Sequence, residues 1–373
     1  MKFLRKFLDK IEPNFQEGGK LEKFSALFEM SDTLLYTSDK VTDNAPHIRD
    51  SIDLKRAMYM VVVALIPIAI FGMFNIGYQD DVTRSILANI LAGAKVFLPI
   101  LLVSYLSGGF WEVLFATVRK HEVNEGFFVT GLLIPLIVPP TIPLWMVAVA
   151  TSFGVVIGKE IFGGTGYNIF NPALVTRAFL FFAYPGAISG DTVWVVDGVT
   201  KATPLATYAT GSATSHTWLD MFYGFIPGSI GETSTLIILF SGLFLIITKI
   251  ANWRIIFGIL TGMVGFAYLT NLMASASSNP MLALTPQTHL VIGGFAFGMV
   301  FMATDPVSAS QTNAGRWIYG IMIGALTVII RSLNPAFPEG MMLAILLGNA
   351  FAPLIDYYVL RGHIKRRQKR YAQ

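Results

Sequence analysis

An all-α, polytopic membrane fold is predicted by three features of this sequence. Only 13% of the 373 residues are charged and 54% are hydrophobic, where a soluble domain carries roughly 25% charged residues. The apolar residues fall into recurrent runs near the length that crosses a bilayer, about 20 residues. The basic residues collect on one side of those runs, as they do on the cytoplasmic side of membrane proteins.

Ten segments qualify or nearly qualify as spans: 57–77, 86–106, 127–140, 143–158, 173–187, 234–249, 254–272, 289–304, 317–332 and 340–359. The third to fifth and the eighth are short and rich in Gly or Pro. With ten spans, Arg119, Lys120, His121, Lys159, Lys249, Arg254, Arg316 and the basic tail share the side of the N-terminus. That side is read as cytoplasmic. Arg84, Lys201 and Arg331 fall opposite, Arg331 being the clearest exception.

Outside the 57–360 membrane domain the chain is polar. Residues 1–56 read as a cytoplasmic extension, with a basic amphipathic helix near Lys2–Ile11 and an apolar stripe at Phe24, Leu27 and Phe28. They carry no apolar core of a cleavable signal. Residues 361–373 read as a basic cytoplasmic tail, and 188–233 as an outer loop. The absence of cysteine excludes thiolate-held iron–sulfur clusters, thiolate metal sites and disulfides within this chain. The basic balance marks membrane orientation, not nucleic-acid binding.

Internal similarity points to two inverted five-helix repeats. Gly131…Pro139-Pro140 in the third span can be laid over Gly298…Asp305-Pro306 in the eighth, and broken spans at matching positions mark a substrate path. A second likeness joins Arg254–Gly262 to Arg316–Gly324, both opening a span from the basic side; close packing of small residues also produces such patterns.

Ionisable residues in spans default to function. Glu112, Glu125, Lys95, Arg177, Asp305 and Asp356 are the candidates. Lys95 and Arg177 read as partners of an acid or of a helix carbonyl. Glu112, Glu125 and Asp356 read either as functional acids or as interfacial carboxylates. Asp305-Pro306 ends a Gly-broken span, where a carboxylate and freed carbonyls suit a small hard cation; the same pair also suits a helix start.

Gly163-Gly164-Thr165-Gly166-Tyr167-Asn168-Ile169-Phe170-Asn171-Pro172 is a Gly-rich turn whose two amides, beside aromatics, suit a flat heterocycle or serve as caps. It is no dinucleotide fingerprint, because no strand precedes it. Asp197-Gly198-Val199-Thr200-Lys201-Ala202-Thr203-Pro204 reads as an outer turn. Pro204 biases Thr203 toward an extended backbone, which holds its hydroxyl out from the surface. Thr214 follows an alanine in the same way but lacks the preceding Asp and the following Pro.

On these residues the chain resembles the family of B-type subunits of the sodium-translocating NADH:quinone oxidoreductase, and more distantly the D-type subunits of the related Rnf electron-transport complex. The resemblance runs nearly end to end. It includes His47–Arg56, Gly108-Gly109-Phe110-Trp111-Glu112, Arg119–Phe128, Ile226–Glu232 and Phe301-Met302-Ala303-Thr304-Asp305-Pro306-Val307-Ser308.

The resemblance implies a subunit of a six-subunit respiratory sodium pump in the bacterial inner membrane, with both termini cytoplasmic. It implies FMN joined through its phosphate to Thr203 by a flavin transferase, within a pattern that Asp197, Gly198, Thr200, Ala202 and Thr203 match. Lys201 departs from the small residue usual there. It further implies a non-covalent riboflavin near Asn168 and Asn171 and a quinone site at Gly108, Gly109 and Glu125. The membrane acids Glu112, Asp305 and Asp356 are implied in sodium uptake. The competing reading is a channel or secondary transporter of the same inverted architecture without redox activity, since fold alone does not decide function.

Overall fold

The computed structural model describes residues 54–119, 126–188, 194–196, 199–212, 214–276, 279–333 and 339–371, with isolated positions before residue 54. Glu125, Asp197 and Gly198 lie outside the described residues, as do most of the polar extension and the side chains of Thr200 and Lys201.

The first half runs α1 (Leu54–Asp80), α2 (Ile86–Arg119), α3 (Gly126–Leu136), α4 (Leu144–Gly158) and α5 (Pro172–Ala183). A short antiparallel hairpin follows, β1 (Trp194–Val196) and β2 (Val199–Lys201), in register Val196↔Val199. The fold class is all-α as expected, and this short hairpin is a local exception within it. Two short helices, α6 (Pro204–Ala209) and α7 (Trp218–Tyr223), complete the segment between the halves. The second half runs α8 (Thr235–Ile247), α9 (Trp253–Met273), α10 (Pro286–Val291), a turn at Phe295–Phe297, a π-helical turn at Gly298–Met302, α11 (Asn313–Leu333) and α12 (Met341–Tyr371).

Among the described residues, six helices are long and apolar enough to cross a membrane, and α3, α5 and α8 are shorter apolar helices. The eighth predicted span is the broken run from α10 to the π turn. Predicted and observed ends agree within a few residues, except that α2 runs on to Arg119, well beyond the predicted 106, and α12 to Tyr371, well beyond the predicted 359. Trp111, Phe115 and Val118 extend the apolar character of α2 and no proline intervenes beyond residue 106.

The sidedness of α2 shows what solvent this chain is built for. Its buried positions include Asn89, Gly93, Ser104, Gly108, Glu112 and Ala116. Its outward stripe is Leu98, Leu102, Leu106 and Phe110, the last 61% exposed. Small and polar residues inside and large apolar ones outside is the membrane arrangement, because helix association in lipid rests on close packing.

Helix pairing repeats between the halves. In the first half α1 packs on α2 and α3, α2 on α3 and α4, and α5 on α3 and α4. In the second, α8, α9 and α12 each pack on the π turn, and α11 packs on α9 and α12. The α1–α2 pair has no counterpart of similar extent. The halves join through counterparts, α1 against α8 and α5 against α12. Five spans per half bring the second half in from the opposite face.

The second sequence likeness has a packing explanation. Gly258 and Gly262 of α9 meet Gly320 and Gly324 of α11, where a Cβ on Gly262 would collide with the Ile321 carbonyl and one on Gly324 with the Ile259 carbonyl. The repeated glycines are the two faces of one small-xxx-small interface. Replacing Gly324 by Val should overpack this contact and cost about 1–3 kcal/mol. A fall in the thermal unfolding temperature in detergent checks it; an unchanged temperature would mean that the helices are not this close.

Candidate functional site

Breaking a helix inside a membrane exposes carbonyls that lipid cannot satisfy, and this chain answers at both breaks. The α3 helix stops at Leu136, and its freed carbonyls are met by the returning segment 226–233. Gly231 N–H donates to the Leu136 carbonyl at 2.7 Å and Ile230 N–H to that of Val138 at 3.2 Å. Asn75 of α1 anchors the same segment through the Ile226 carbonyl at 3.0 Å. At the second break Arg331 of α11 donates to the carbonyls of His289 and Ile292, both at 2.9 Å. Its guanidinium is 0% exposed and lies over the Phe295 ring. That is why Arg331 departs from the positive-inside pattern: it closes off backbone.

Three cavities follow the breaks from the basic face to the opposite one. The inner cavity, about 800 Å³ with its mouth, is lined among others by Thr130, Lys159, Asn168, Asn171, Phe301 and Asp305. A middle cavity touches Arg177, Glu232, Gly298, Met302 and Glu339. The outermost holds Thr203, Ser229, Glu232, Thr233, Gly293 and Glu339. All three lie where the two halves meet, the position that broken helices predict for a path.

In the inner cavity, Asn171 caps α5 by accepting from Ala173 and Leu174 N–H groups at 3.0 and 3.4 Å. Its amide nitrogen has no acceptor among the described residues. Asn168 donates to the Phe170 carbonyl at 3.0 Å and accepts from Gly166 N–H at 3.4 Å. The glycines of this loop take positive φ, +124° at Gly163 and +95° at Gly166, which only glycine adopts cheaply. Asp305 accepts from Val307 N–H at 3.2 Å and from the Ser308 hydroxyl at 2.7 Å. It is therefore both a turn-former and a carboxylate on the cavity wall.

The structure separates the other candidates. Glu112 forms an ion pair with buried Lys159, which also lies 3.7 Å from Glu160 and donates to Thr165 at 3.1 Å. Arg119 completes the group through Glu160 at 3.2 Å. Spacing alone hid Lys159, because it is adjacent to Glu112 only in space. Asp356 accepts from Ser310, Gln311 and Thr312, fastening the 310–312 loop to α12. Gly108 packs against the Phe127 ring, where any Cβ would collide, whereas a Cβ on Gly109 would sit at an ordinary 3.6 Å. Lys95 is exposed on α2. Arg177 pairs with Glu232, and with Glu339 at 2.7 Å, as the reading of it as an acid's partner expected.

Thr203 has the extended backbone that Pro204 predicts, φ −69° and ψ 152°. Its hydroxyl does not stand out from the surface, however. It is half-buried at the edge of the outermost cavity and caps α6, accepting from Ala206 N–H at 3.3 Å. Its proton has no acceptor among the described residues. Thr214 differs, since its hydroxyl both accepts from His216 N–H and donates to the His216 carbonyl, each at 3.0 Å.

A family model described as the NQR2, RnfD, RnfE family matches residues 41–365. The B-type subunit of the Na(+)-translocating NADH-quinone reductase of Ectopseudomonas mendocina (strain ymp) is 54% identical over 400 aligned residues, covering 98% of this chain and 99% of the relative. The Yersinia pestis protein of that name is 52% identical, at 98% and 99% coverage. That of Chromohalobacter salexigens is 53% identical, at 98% and 96%.

The ion cluster beneath the inner cavity carries a stability prediction. Lys159→Met should leave the buried carboxylates without their shared cation and cost about 3–5 kcal/mol. Adding Glu112→Gln should recover part of that loss. Thermal unfolding of the single and double variants in detergent measures both; equal loss in the two would show that Lys159 and Glu112 are not coupled.

Proposed function

Because the chain belongs to the NQR2, RnfD, RnfE family, we propose that it is the flavin-carrying membrane subunit of a bacterial respiratory complex that passes electrons from NADH to quinone and exports sodium. In this reading the basic face is cytoplasmic, with the 1–56 extension and the 361–373 tail on that side of the inner membrane. Five other subunits complete the complex.

FMN is held by a phosphoester to Thr203, added by a flavin transferase on the outer side. The observation that carries this is the Thr203 hydroxyl. It caps its helix with a lone pair, its proton is unengaged among the described residues, and it borders a cavity. Thr214 uses both hydrogen-bonding directions of its hydroxyl and is the poorer acceptor of a phosphoryl group. Bound flavin supplies the electron-transfer chemistry, and the chain supplies position and electrostatics.

Riboflavin occupies the inner cavity, whose wall combines polar amides with apolar side chains, as cofactor sites do. There Asn171 offers its amide donors and Asn168 stiffens the Gly-rich wall. Quinone approaches α2 at Gly108 and Gly109 with Glu125, and the looser contact of Gly109 with the Phe127 ring supports that placement. Sodium enters by the acids Glu112, Asp305 and Asp356. Asp305 is the best placed, since it lines the cavity, while Asp356 accepts more donors and is not part of that wall.

A channel or transporter without redox activity is the second reading, favoured by the row of cavities between inverted halves. In-gel flavin fluorescence of the denatured subunit separates the two. Under the flavin reading Thr203→Ala abolishes the covalent fluorescence, Thr203→Ser retains it, and mass spectrometry finds the flavin on the Thr203 peptide. Fluorescence that persists in Thr203→Ala, or flavin on Thr214, would overturn the assignment. For Asp305, the Asn variant keeps an oxygen for the turn and removes the charge. It should raise the sodium needed for half-maximal quinone reduction by roughly tenfold, the worth of about 1.4 kcal/mol, at unchanged flavin content. An unchanged titration would reduce Asp305 to a turn-former.

A further inference from the structure

We infer that the outward face of α2 around Lys95 is covered by a transmembrane helix of another subunit, and that this helix carries a carboxylate paired with Lys95. The inference rests on the multi-subunit reading above.

The first observation is a lysine on the lipid side of a helix. The outward stripe of α2 runs Leu91, Lys95, Leu98 and Leu102, all exposed. Lys95 sits about 200° around the helix from buried Gly93 and Phe97. It makes no hydrogen bond or ion pair among the described residues. Ionisable residues in spans almost always face the bundle interior or a water-filled cavity, and this one faces neither. The acids that follow α1, Asp80 and Asp81, are already paired with Arg84 at the outer turn.

The second observation is depth. Gly77 of α1 meets Asn89 of α2, and Gly93 meets Met73, so the two helices stay level toward their outer ends. The apolar run of α1 ends at that level, where Tyr78, Gln79 and Asp80 follow. Lys95 stands further inward than Asn89 by about 9 Å. A cation facing lipid at that depth is costly, and an acid on a neighbouring helix removes the cost.

The third observation is length. The large exposed side chains of α2 extend from Leu87 to Val118, about 46 Å along the helix. A hydrocarbon core of about 30 Å would cover them all only at a tilt of about 50°, beyond the range of about 0–40° that spans adopt. A partner helix lying along this stripe would cover Lys95 and the excess length together.

The acids of this chain point to a different subunit as that partner. Among the described residues within the spans, Glu112 pairs with Lys159, Asp305 bonds Ser308, and Asp356 bonds Ser310 and Thr312. Glu232, beside the end of α3, pairs with Arg177. A second copy of the chain therefore has no free carboxylate to present to Lys95.

The test uses the purified complex with p-benzoylphenylalanine in place of Leu98, one turn from Lys95. Irradiation should join it to a spanning segment of another subunit, and peptide mapping should find an Asp or Glu within a turn of the adduct. Lys95→Leu should then lower the fraction of that subunit retained through detergent washing by roughly three- to tenfold. Lys95→Arg should retain it, and neutralising the mapped acid beside Lys95→Leu should recover it. A lysine that only snorkels to the headgroups predicts the opposite: adducts to lipid alone, and full retention in Lys95→Leu. Either result overturns the inference, as does an adduct to a second copy of this chain or to a segment without an acid. These readouts follow assembly and not turnover. A complex that assembles but reduces no quinone would sink the functional reading and leave the interface standing; a chain that purifies without other subunits would sink both.

Discussion

Everything at the centre of this protein depends on satisfying backbone where helices stop inside the membrane. An unbonded carbonyl in hydrocarbon costs several kcal/mol, so a broken span survives only if something else bonds it. Here the two breaks are closed by different means. Backbone amides at Ile230 and Gly231 meet the end of α3, and the Arg331 guanidinium meets the end of α10. These closures allow the breaks to remain open on their other sides, and the three cavities lie there. The Ile226–Glu232 segment is thus at once a plug for α3, a wall of the outermost cavity and the carrier of Glu232.

Charge placement follows the same geometry. On the basic face Lys159 neutralises Glu112 and leans toward Glu160, with Arg119 beyond. Toward the other face Arg177 joins Glu232 and Glu339 across the two halves. Ion clusters therefore stand at both ends of the row of cavities, with the apolar π turn between them. Phe297 and Phe301 of that region are buried and in ring contact, 5.1 Å between centroids. An interior arranged this way has polar chambers separated by an apolar neck, which suits controlled passage and not a continuous water-filled pore.

Much of the fold was legible in the sequence, because length and apolar character fix spans directly. The ten segments correspond to the observed helices and to the broken run from α10 to the π turn. The short third and eighth spans stood out through their glycines and prolines. The lengths of α2 and α12 were misjudged, since a hydropathy limit does not mark where a helix ends. The hairpin was not visible either: three-residue strands leave no period to detect, and an Asp-Gly turn looks the same with or without pairing. At the site, single residues were legible where local chemistry defines them. Pro204 set the backbone of Thr203, and Asn171 before Pro172 set a helix cap. Partnerships were not legible. Arg177, Glu232 and Glu339 lie far apart in sequence; the packing of α5 against α12 brings Arg177 near Glu339, and the segment returning to the end of α3 brings in Glu232. The same holds for Lys159 and Glu112, and for the role of Arg331, which charge counting could register only as an anomaly.

The central claim is that the chambers between the two halves hold the redox groups, one on either side of the apolar neck. A density map of the intact complex, resolved to side chains, tests it most directly. The account predicts planar density in the inner cavity between Asn168, Asn171 and Phe301, and separate density continuous with the Thr203 hydroxyl on the other side of the neck. A map in which both chambers hold only side chains, water or lipid, with flavin density bound elsewhere on this chain, would contradict it.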